Sequence, residues 1–333
     1  MYVLAFESSC DETACAVLEM SEDTREIKSN IIASQVDIHA LYGGVVPEIA
    51  SRAHIEAISK ITYEALSVAG LTLKDIGAIA VTNGPGLIGA LLVAVNFAKS
   101  LAFANNIPLV PVDHIKGHVA ANYLTHKELK PPFLALVVSG GHTSFFDVKS
   151  YTCLEEIAST RDDAAGECFD KIGRVMGLPY PGGHAMDLLS SKGNKDAIQF
   201  PSPAISGDTL DFSFSGLKTA VINHINTKRQ KGEELNEADI AASFTKTVVN
   251  AVRSKIGEAL KRTGYKKIVL AGGVSANSHL RQGITEECKK YGAEFYAPHL
   301  SLCGDNAAMI GAQGYYEFLE GVRGDETLNA YPS

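Results

Sequence analysis

The chain has 333 residues, 46% of them hydrophobic and 20% charged, so it is long enough for two domains with sizeable cores. Its formal net charge of −8 at pH 7 excludes a protein that holds nucleic acid mainly by bulk positive charge, because neutralising phosphates takes clustered Lys and Arg. The six cysteines form no CxxC pair and Met1 leads straight into a strand-like run, so we expect a reducing cytoplasm and no signal peptide.

Residues 2–18 predict a β-hairpin, because two apolar runs flank the polar turn Glu-Ser-Ser-Cys-Asp-Glu-Thr. Asp11 and Glu12 place two carboxylates in that turn, where they are either solvated turn residues or groups that act on a substrate. The following periodicities predict a helix over 53–69, a strand over 76–82 and a helix over 88–104. Polar residues interrupt the apolar stretch 87–104, so we expect a buried helix and no membrane span.

His114 and His118 stand four residues apart, directly after Asp113, which can cap a helix start. On a helix these histidines share one face, which is a spacing suited to metal ligands. Two core or surface histidines give the same pattern, so the spacing alone leaves both interpretations open. Gly117 between them weakens a helix and indicates that something packs closely there.

Residues 133–148 repeat the hairpin pattern, with the glycine-rich turn Ser-Gly-Gly-His-Thr between apolar runs. This likeness predicts an internal duplication, and the alternating elements predict a layered α/β architecture. The Pro131-Pro132 pair is the clearest break, so the predicted domains are 1–131 and 132–333. The last helix is a candidate to pack back on the first lobe. We expect a structural hydrogen bond, and no catalytic role, for His142.

The second half adds a third glycine-rich segment, a strand that ends at Gly272-Gly273 before a capped helix start. Together with the two hairpin turns, it would let a nucleotide lie against bare backbone N–H groups. Asp305 precedes the helical run 307–319, and by its position alone it reads as a helix N-cap. Lys218 either contacts phosphate or is solvated, and the basic run 228–231 is either a local RNA contact or a solvated helix end.

The three glycine-rich segments, in this order, resemble the two-lobed, RNase H-like fold of actin, Hsp70 and hexokinase, whose active site lies in the cleft between duplicated lobes. A closer resemblance is to the tRNA N6-adenosine threonylcarbamoyltransferase family, in its bacterial or organellar branch. It rests on strings that follow one another in order and spacing along nearly the whole chain: FESSCDETACAV, VVPEIASRAH, NGPGLIGALLVA, HIKGH, VVSGGHT, DDAAGECFDKIGR, YPGG, FSFSGLKTA, AGGVSANSHLR and CGDNAAMI.

This resemblance implies an acyltransferase that moves threonylcarbamoyl from threonylcarbamoyl-AMP to the exocyclic amine of adenosine-37, in tRNAs that read codons beginning with adenine. The products are t6A and AMP. It implies one divalent metal ion, Fe²⁺ favoured and Zn²⁺ as the alternative, on His114, His118 and Asp305. Glu12, with Asp11, is expected to position the acceptor amine or take its proton. The donor is expected to bind Val137, Val138, Ser139, Gly140, Gly141, Asp170, Gly183, Asp187 and Asn277.

The resemblance also implies partners: tRNA, a related subunit of the same actin-like fold, a small ATPase and a separate synthase that makes the donor. We expect weak tRNA binding by the chain alone, and the apolar helix 87–104 is a candidate subunit interface. Two residues depart from the family pattern, Lys116 between the histidines and His184 beside the expected ribose site. On a helix, Lys116 points away from His114 and need not repel a metal.

Three rival functions fit parts of the sequence. An ATP-dependent kinase or chaperone-like ATPase shares the two-lobed fold, but it would bind Mg²⁺ with nucleotide and has no use for a His, His, Asp cluster. A zinc protease of the HExxH type needs glutamate directly after the first histidine, where this chain has Ile115. A non-catalytic scaffold is disfavoured because all three ligand residues are present.

Overall fold

The structure, a computed structural model, describes residues 1–203, 205 and 207–332. The chain divides into two compact units, which we call unit 1 (Met1–Pro131, Lys149–Leu154 and Pro298–Ser333) and unit 2 (Pro132–Val148 and Glu155–Ala297). Unit 1 therefore includes two segments that follow the Pro131-Pro132 pair in sequence. The domain bounds 1–131 and 132–333 stay a prediction.

Unit 1 contains a five-stranded mixed sheet in the order β3-β2-β1-β4-β5. Its strands are β1 (Tyr2–Glu7), β2 (Glu12–Met20), β3 (Arg25–Ser34), β4 (Ile76–Gly84) and β5 (Leu109–Asp113). The pairs β1/β2 and β2/β3 are antiparallel, whereas β1/β4 and β4/β5 are parallel. The hairpin predicted over 2–18 is confirmed as β1 and β2. β1 is central and buried along Val3–Glu7, as expected for a strand covered on both faces.

The first four helices of unit 1 are α1 (Val36–Ala40), α2 (Pro47–Ala69), α3 (Ile88–Asn105) and α4 (His114–Thr125). The small residues Ala90, Ala94 and Ala98 recur every four positions and form the buried stripe of α3. The expectation of a buried helix is thus only partly right, since the side chain of Phe103 is 53% exposed. Among the described helices, α3 alone is long and apolar enough to cross a membrane, a test that core helices of soluble proteins also pass.

Unit 2 repeats the sheet plan, with strand order β10-β9-β6-β7-β8. Its strands are β6 (Phe133–Val138), β7 (Thr143–Val148), β8 (Leu154–Ser159), β9 (Lys267–Ala271) and β10 (Glu294–Tyr296). The hairpin β6/β7 corresponds to β1/β2, and the parallel strands β9 and β10 correspond to β4 and β5. The predicted α/β architecture and internal duplication are confirmed by this match, strand for strand.

The helices of unit 2 are α5 (Ala165–Met176), α6 (Gly182–Ser190), α7 (Ser215–Gln230), α8 (Glu237–Thr263) and α9 (Ser278–Tyr291). They cover a core in which the rings of Phe169 and Phe244 meet edge to face, with centroids 4.9 Å apart. α9 begins shortly after the glycine-rich segment at 272–273, whereas β7 and β8 separate the segment at 139–142 from α5.

The last helix, α10 (Ala307–Leu319), belongs to unit 1 and is buried along most of its length. It packs on β1, β2, β4 and on α4. Gly314 makes this approach feasible, because a Cβ there would overlap the Cβ of Ala80 on β4. Gly117 does the same on α4, where a Cβ would lie 2.6 Å from Cδ1 of Ile310. The close neighbour predicted beside Gly117 is therefore Ile310.

Candidate functional site

The helix that carries both predicted histidine ligands starts where the sequence predicts. Asp113 ends β5 and caps α4, accepting hydrogen bonds from the backbone N–H groups of Ile115 (2.9 Å) and Lys116 (3.0 Å). His114 is the first residue of α4 and His118 lies one turn later, with ring centroids 4.6 Å apart. The cap fixes the start of α4, so it also fixes where the two rings project.

Asp305 completes this group and is not the helix cap that its position suggests. The cap of α10 is Asn306, whose side-chain oxygen accepts a hydrogen bond of 3.0 Å from Met309 N. Asp305 Oδ1 instead lies 3.2 Å from His118 Nε2 and 3.6 Å from His114 Nε2. The three residues offer ligand atoms within 4.8 Å of one another, and they form a candidate metal site in unit 1.

The donor set fits a divalent metal ion. His118 is 1% exposed, and neither of its ring nitrogens has a hydrogen-bond partner among the described residues. Its Nε2 is close to Asp305 Oδ1, but the contact lacks hydrogen-bond geometry. Buried polar atoms are nearly always paired, so an orphaned imidazole nitrogen facing a carboxylate marks a place where a cation would be the missing partner. Two imidazoles and one carboxylate suit zinc or iron, and three protein ligands leave positions for substrate.

Glu7, at the end of β1, lies behind His114. Its Oε2 is 3.1 Å from His114 Nδ1 and accepts a hydrogen bond of 2.6 Å from the Thr82 hydroxyl, while its Oε1 accepts one of 2.5 Å from Ser9 N. Burial raises the pKa of Glu7, but the neighbouring His114 outweighs it and keeps that pKa below its ordinary value. Burial lowers the pKa of His114, yet the carboxylates of Glu7 and Asp305 raise it to about 9.

The sequence reasoning assigned no role to Glu7, although this residue belongs to the first motif. The available signal was an acidic residue at the end of an entirely apolar strand, because a carboxylate is seldom fully buried without a partner. The partner, His114, is 107 positions away, so the pairing needed the fold.

The two predicted catalytic carboxylates follow in the same turn. Asp11 is buried, and the half-buried Glu12 accepts a hydrogen bond of 3.0 Å from the Ser34 hydroxyl. Burial, together with the negative charges of Asp11 and Asp305, raises the pKa of Glu12 to about 9. A pKa of this size favours the protonated form of Glu12 at neutral pH in the metal-free chain. The catalytic role of both residues stays a prediction.

A buried histidine, His54, contacts residues on both sides of this turn. His54 on α2 is fully buried; its Nε2 lies 3.0 Å from the Cys10 carbonyl oxygen, and its Nδ1 lies 2.7 Å from the Thr13 hydroxyl. Only an Nε2–H can serve a carbonyl, so Nδ1 accepts from Thr13. One neutral ring thereby ties together the residues on both sides of Asp11 and Glu12.

The residues expected to bind the donor all belong to unit 2. Val137 and Val138 end β6, and the turn at 139–142 is closed by a hydrogen bond of 2.8 Å from Ser139 N to the His142 carbonyl. His142 N donates in turn to Ser139 Oγ at 3.1 Å, and the structural role expected of the His142 side chain stays a prediction. A Cβ at Gly140 or Gly141 would meet open space, and this stretch of backbone is therefore accessible to a ligand.

Two further glycines press against the end of β6. A Cβ at Gly166, on α5, would overlap the Ser139 carbonyl, and one at Gly272 would overlap that of Val138. Gly272 also has φ of 89°, a conformation that other residues rarely adopt. Gly166 thus lets the start of α5 approach the glycine-rich hairpin, and Gly272 does the same for the turn at 273–276.

The polar residues predicted for ribose and adenine already make contacts within unit 2. Asp170 accepts a hydrogen bond of 2.8 Å from Gly182 N, and Asp187 accepts from Ser278 N at 3.1 Å and contacts His279 Nδ1 at 2.7 Å. Asn277 caps α9 by accepting from Leu280 N at 2.8 Å. Gly183 has open space where a Cβ would be. These side chains join the starts of α6 and α9, and their contact with a donor stays a prediction.

The remaining charged candidates have local partners. Lys218 pairs with Asp163, and Lys228 of the basic run pairs with Glu233 at 2.9 Å. Lys116 pairs with Glu317 at 3.0 Å, which agrees with a side chain that points away from the metal ligands.

Residues 26–312 match the TsaD family model, described as tRNA N6-adenosine threonylcarbamoyltransferase. The chain belongs to this family. It is 54% identical over 331 residues to the tRNA N6-adenosine threonylcarbamoyltransferase of Clostridium botulinum (strain Hall), covering 99% of this chain and 96% of that protein. The relative of the same name in Clostridium perfringens (strain 13) is 53% identical, with 99% and 97% covered. The chain is therefore a transferase enzyme of the tRNA threonylcarbamoyltransferase family.

Similarity to solved structures supports the fold assignment independently of the sequence relatives. HypF from T. kodakarensis matches with a TM-score of 0.64 at 15% identity, over 98% of this chain and 49% of that one. The ROK hexokinase from Thermus thermophilus matches with a TM-score of 0.51 at 14% identity, over 96% and 100%. At these identities the likeness shows the fold alone, and it confirms the predicted actin-like and hexokinase-like class. The kinase alternative shares that fold, and membership of the threonylcarbamoyltransferase family decides against it.

Proposed function

We propose that the chain transfers threonylcarbamoyl from threonylcarbamoyl-AMP to the exocyclic amine of adenosine-37, in tRNAs that read codons beginning with adenine. The products are t6A and AMP. The observation that carries the proposal is the His114, His118 and Asp305 group, with ligand atoms within 4.8 Å of one another in a member of this family. A kinase of the same fold would have no use for such a group.

The chemistry explains why such a site is useful. The exocyclic amine of adenine is a poor nucleophile because its lone pair is delocalised into the ring, whereas the donor is an activated mixed anhydride. Orientation and polarisation of the donor carbonyl are then the main requirements. A metal ion bound to His114, His118 and Asp305 would supply a Lewis acid and a template, with Fe²⁺ favoured and Zn²⁺ as the alternative.

Unit 2 would hold the donor. We assign its phosphate to the turn at 139–141, because successive backbone N–H groups without side chains favour an anion. Val137 and Val138 lead into that turn. The ribose hydroxyls are assigned to Asp170 and Asp187, since carboxylate oxygens have acceptor capacity beyond the hydrogen bonds that they already make. Gly183 leaves room beside them, and Asn277 is assigned to the adenine.

Glu12 and Asp11 are assigned to the acceptor. Burial, Asp11 and Asp305 raise the pKa of Glu12 to about 9 in the metal-free chain. A cation bound at Asp305 would lower that pKa, so Glu12 is assigned to position the acceptor amine or to take its proton.

We propose that the chain works in the cytoplasm with a related actin-like-fold subunit, a small ATPase and a donor synthase. Charge supports the need for help with tRNA. Unit 1 carries 19 acidic and 11 basic residues and unit 2 carries 19 of each, so neither unit has an excess of positive charge. The exposed apolar residues Ile88 and Phe103 make α3 a candidate interface with a partner subunit.

Reconstitution tests this function. The chain is incubated with its partners, threonine, bicarbonate, ATP and tRNA, and nucleosides from digested tRNA are analysed by mass spectrometry. We expect t6A with the wild type and loss of it with His114→Ala. The control His224→Ala changes a histidine of α7 in unit 2 and should keep activity. Failure of the wild type to modify adenosine-37 under any of these conditions would refute the function.

A further inference from the structure

We propose that Glu7 is a positioning residue for the metal: its carboxylate selects the tautomer of His114 and turns the Nε2 of that ring towards His118 and Asp305. The inference rests on the proposed function, because it treats the three-residue group as a metal site. It adds a residue outside the ligand set, contributed by the central strand of unit 1.

The hydrogen bonds around Glu7 leave its carboxylate no freedom. The side chain is 1% exposed, and both oxygens accept: Oε1 from Ser9 N at 2.5 Å, and Oε2 from the Thr82 hydroxyl at 2.6 Å. His114 Nδ1 is the third group, 3.1 Å from Oε2. An ionised carboxylate has no hydrogen to give, so Nδ1 must carry one. In the neutral ring that a metal ion requires, the nitrogen with a lone pair is then Nε2.

A competing arrangement exists, and Glu7 is what excludes it. The Ser9 hydroxyl lies 3.2 Å from the same Nδ1 and could donate to an unprotonated nitrogen. In that tautomer the Nδ1 lone pair would face Glu7 Oε2 at 3.1 Å, which is repulsive, and Nε2–H would block the ligand position. Removing the negative charge of Glu7 therefore removes the preference of His114 for the tautomer with hydrogen on Nδ1.

The two ligand histidines differ in this respect. His118 has no hydrogen-bond partner on either ring nitrogen among the described residues, so no comparable group orients it. Carboxylates that hold the far nitrogen of a ligand histidine fix its orientation, and their loss typically lowers metal affinity about 10–100-fold. We therefore expect most of the preorganisation of this site to depend on Glu7 and His114.

Glu7→Gln is the discriminating change, because the amide has one oxygen and cannot accept from both Ser9 N–H and His114 Nδ1–H. With its NH₂ group at the position of Oε1, it places a donor against Ser9 N–H. With that group at the position of Oε2, it donates towards Nδ1 and drives His114 to the tautomer with hydrogen on Nε2, while the Thr82 hydroxyl can turn to accept. We expect Zn²⁺ and Co²⁺ to bind the variant about 10–100-fold more weakly than the wild type.

The experiment uses the full chain without tRNA or donor. Zn²⁺ and Co²⁺ affinities are measured by titration against a competing chelator, and ¹⁵N NMR of the zinc-loaded protein reports which nitrogen of His114 binds metal. The control is Glu287→Gln, which alters a buried carboxylate in unit 2 that pairs with Arg253 and Lys290. It should bind metal like the wild type, and circular dichroism checks the fold of each variant.

Four results would overturn the inference. One is wild-type affinity in a folded Glu7→Gln variant. Another is zinc on Nδ1 of His114 in the wild type, or no zinc binding at all. The last uses Ser9→Ala, which removes only the competing hydroxyl: a loss of affinity there like that expected for Glu7→Gln would assign the orientation to Ser9. A wild type that binds zinc through Nε2 but modifies no tRNA would refute the proposed function and leave this inference intact.

Discussion

Replacing Glu12 with Gln should stabilise the metal-free protein increasingly as the pH rises. Burial, Asp11 and Asp305 raise the pKa of this carboxyl to about 9, above its ordinary value of 4.5. Between those values the folded chain retains a proton that the unfolded chain releases, so the wild type loses stability with rising pH. Each pH unit in this window corresponds to on the order of 1 kcal/mol, and the effect levels off near pH 9.

The assay is urea unfolding of the wild type and Glu12→Gln at pH 5, 6.5 and 8, compared as the difference in the free energy of unfolding. Gln cannot ionise, so we expect the difference to grow in favour of the variant from pH 5 to pH 8. Glu64→Gln, which changes an exposed carboxylate of α2, controls for the loss of one negative charge. A difference that does not change with pH, or that shifts in favour of the wild type, would refute the assigned burial and charge environment of Glu12.

Three further predictions concern the helices that carry the metal ligands. Asp305→Asn should abolish Zn²⁺ binding in a chelator titration yet leave the melting temperature of the metal-free chain nearly unchanged, since Asn306 caps α10; a large drop would show that Asp305 is structural. Asn306→Ala should lower the free energy of unfolding by about 1 kcal/mol through loss of that cap, measured in urea, and no loss would contradict the cap assignment. Gly314→Ala should lower it by about 1–3 kcal/mol because the new Cβ overlaps Ala80, and a stabilised variant would contradict the tight packing of α10.

The sequence predicts well those features that depend on neighbouring residues. Alternating apolar runs around a polar turn predict both hairpins, because side chains of a strand alternate between faces. The same local logic predicts that Asp113 caps a helix whose first two turns present His114 and His118 on one face. Each of these predictions needs only a few residues, and the structure confirms them.

Features that depend on packing between distant segments were not accessible in this way. The apolar composition of α3 predicts burial but cannot say that only one face is covered, since that depends on the sheet beneath it. Glu7 and His114 are separated by 107 positions, and no local pattern links a strand end to a helix start. The assignment of residues 149–154 to unit 1 likewise follows from contacts and not from composition.

Asp305 shows why a local rule can select the wrong neighbour. Asp and Asn are about equally good N-caps, so the pair Asp305-Asn306 before α10 offers two caps for one position. Which of the two residues caps α10 depends on packing elsewhere, because Gly314 and Gly117 let α10 pack against β4 and α4 in one register. In that register Asn306 meets the free N–H of Met309, and Asp305 is left facing two imidazoles. The candidate metal site is thus determined by helix packing, and Gly117 between the two histidines and Gly314 two to three turns after Asp305 are part of what positions it.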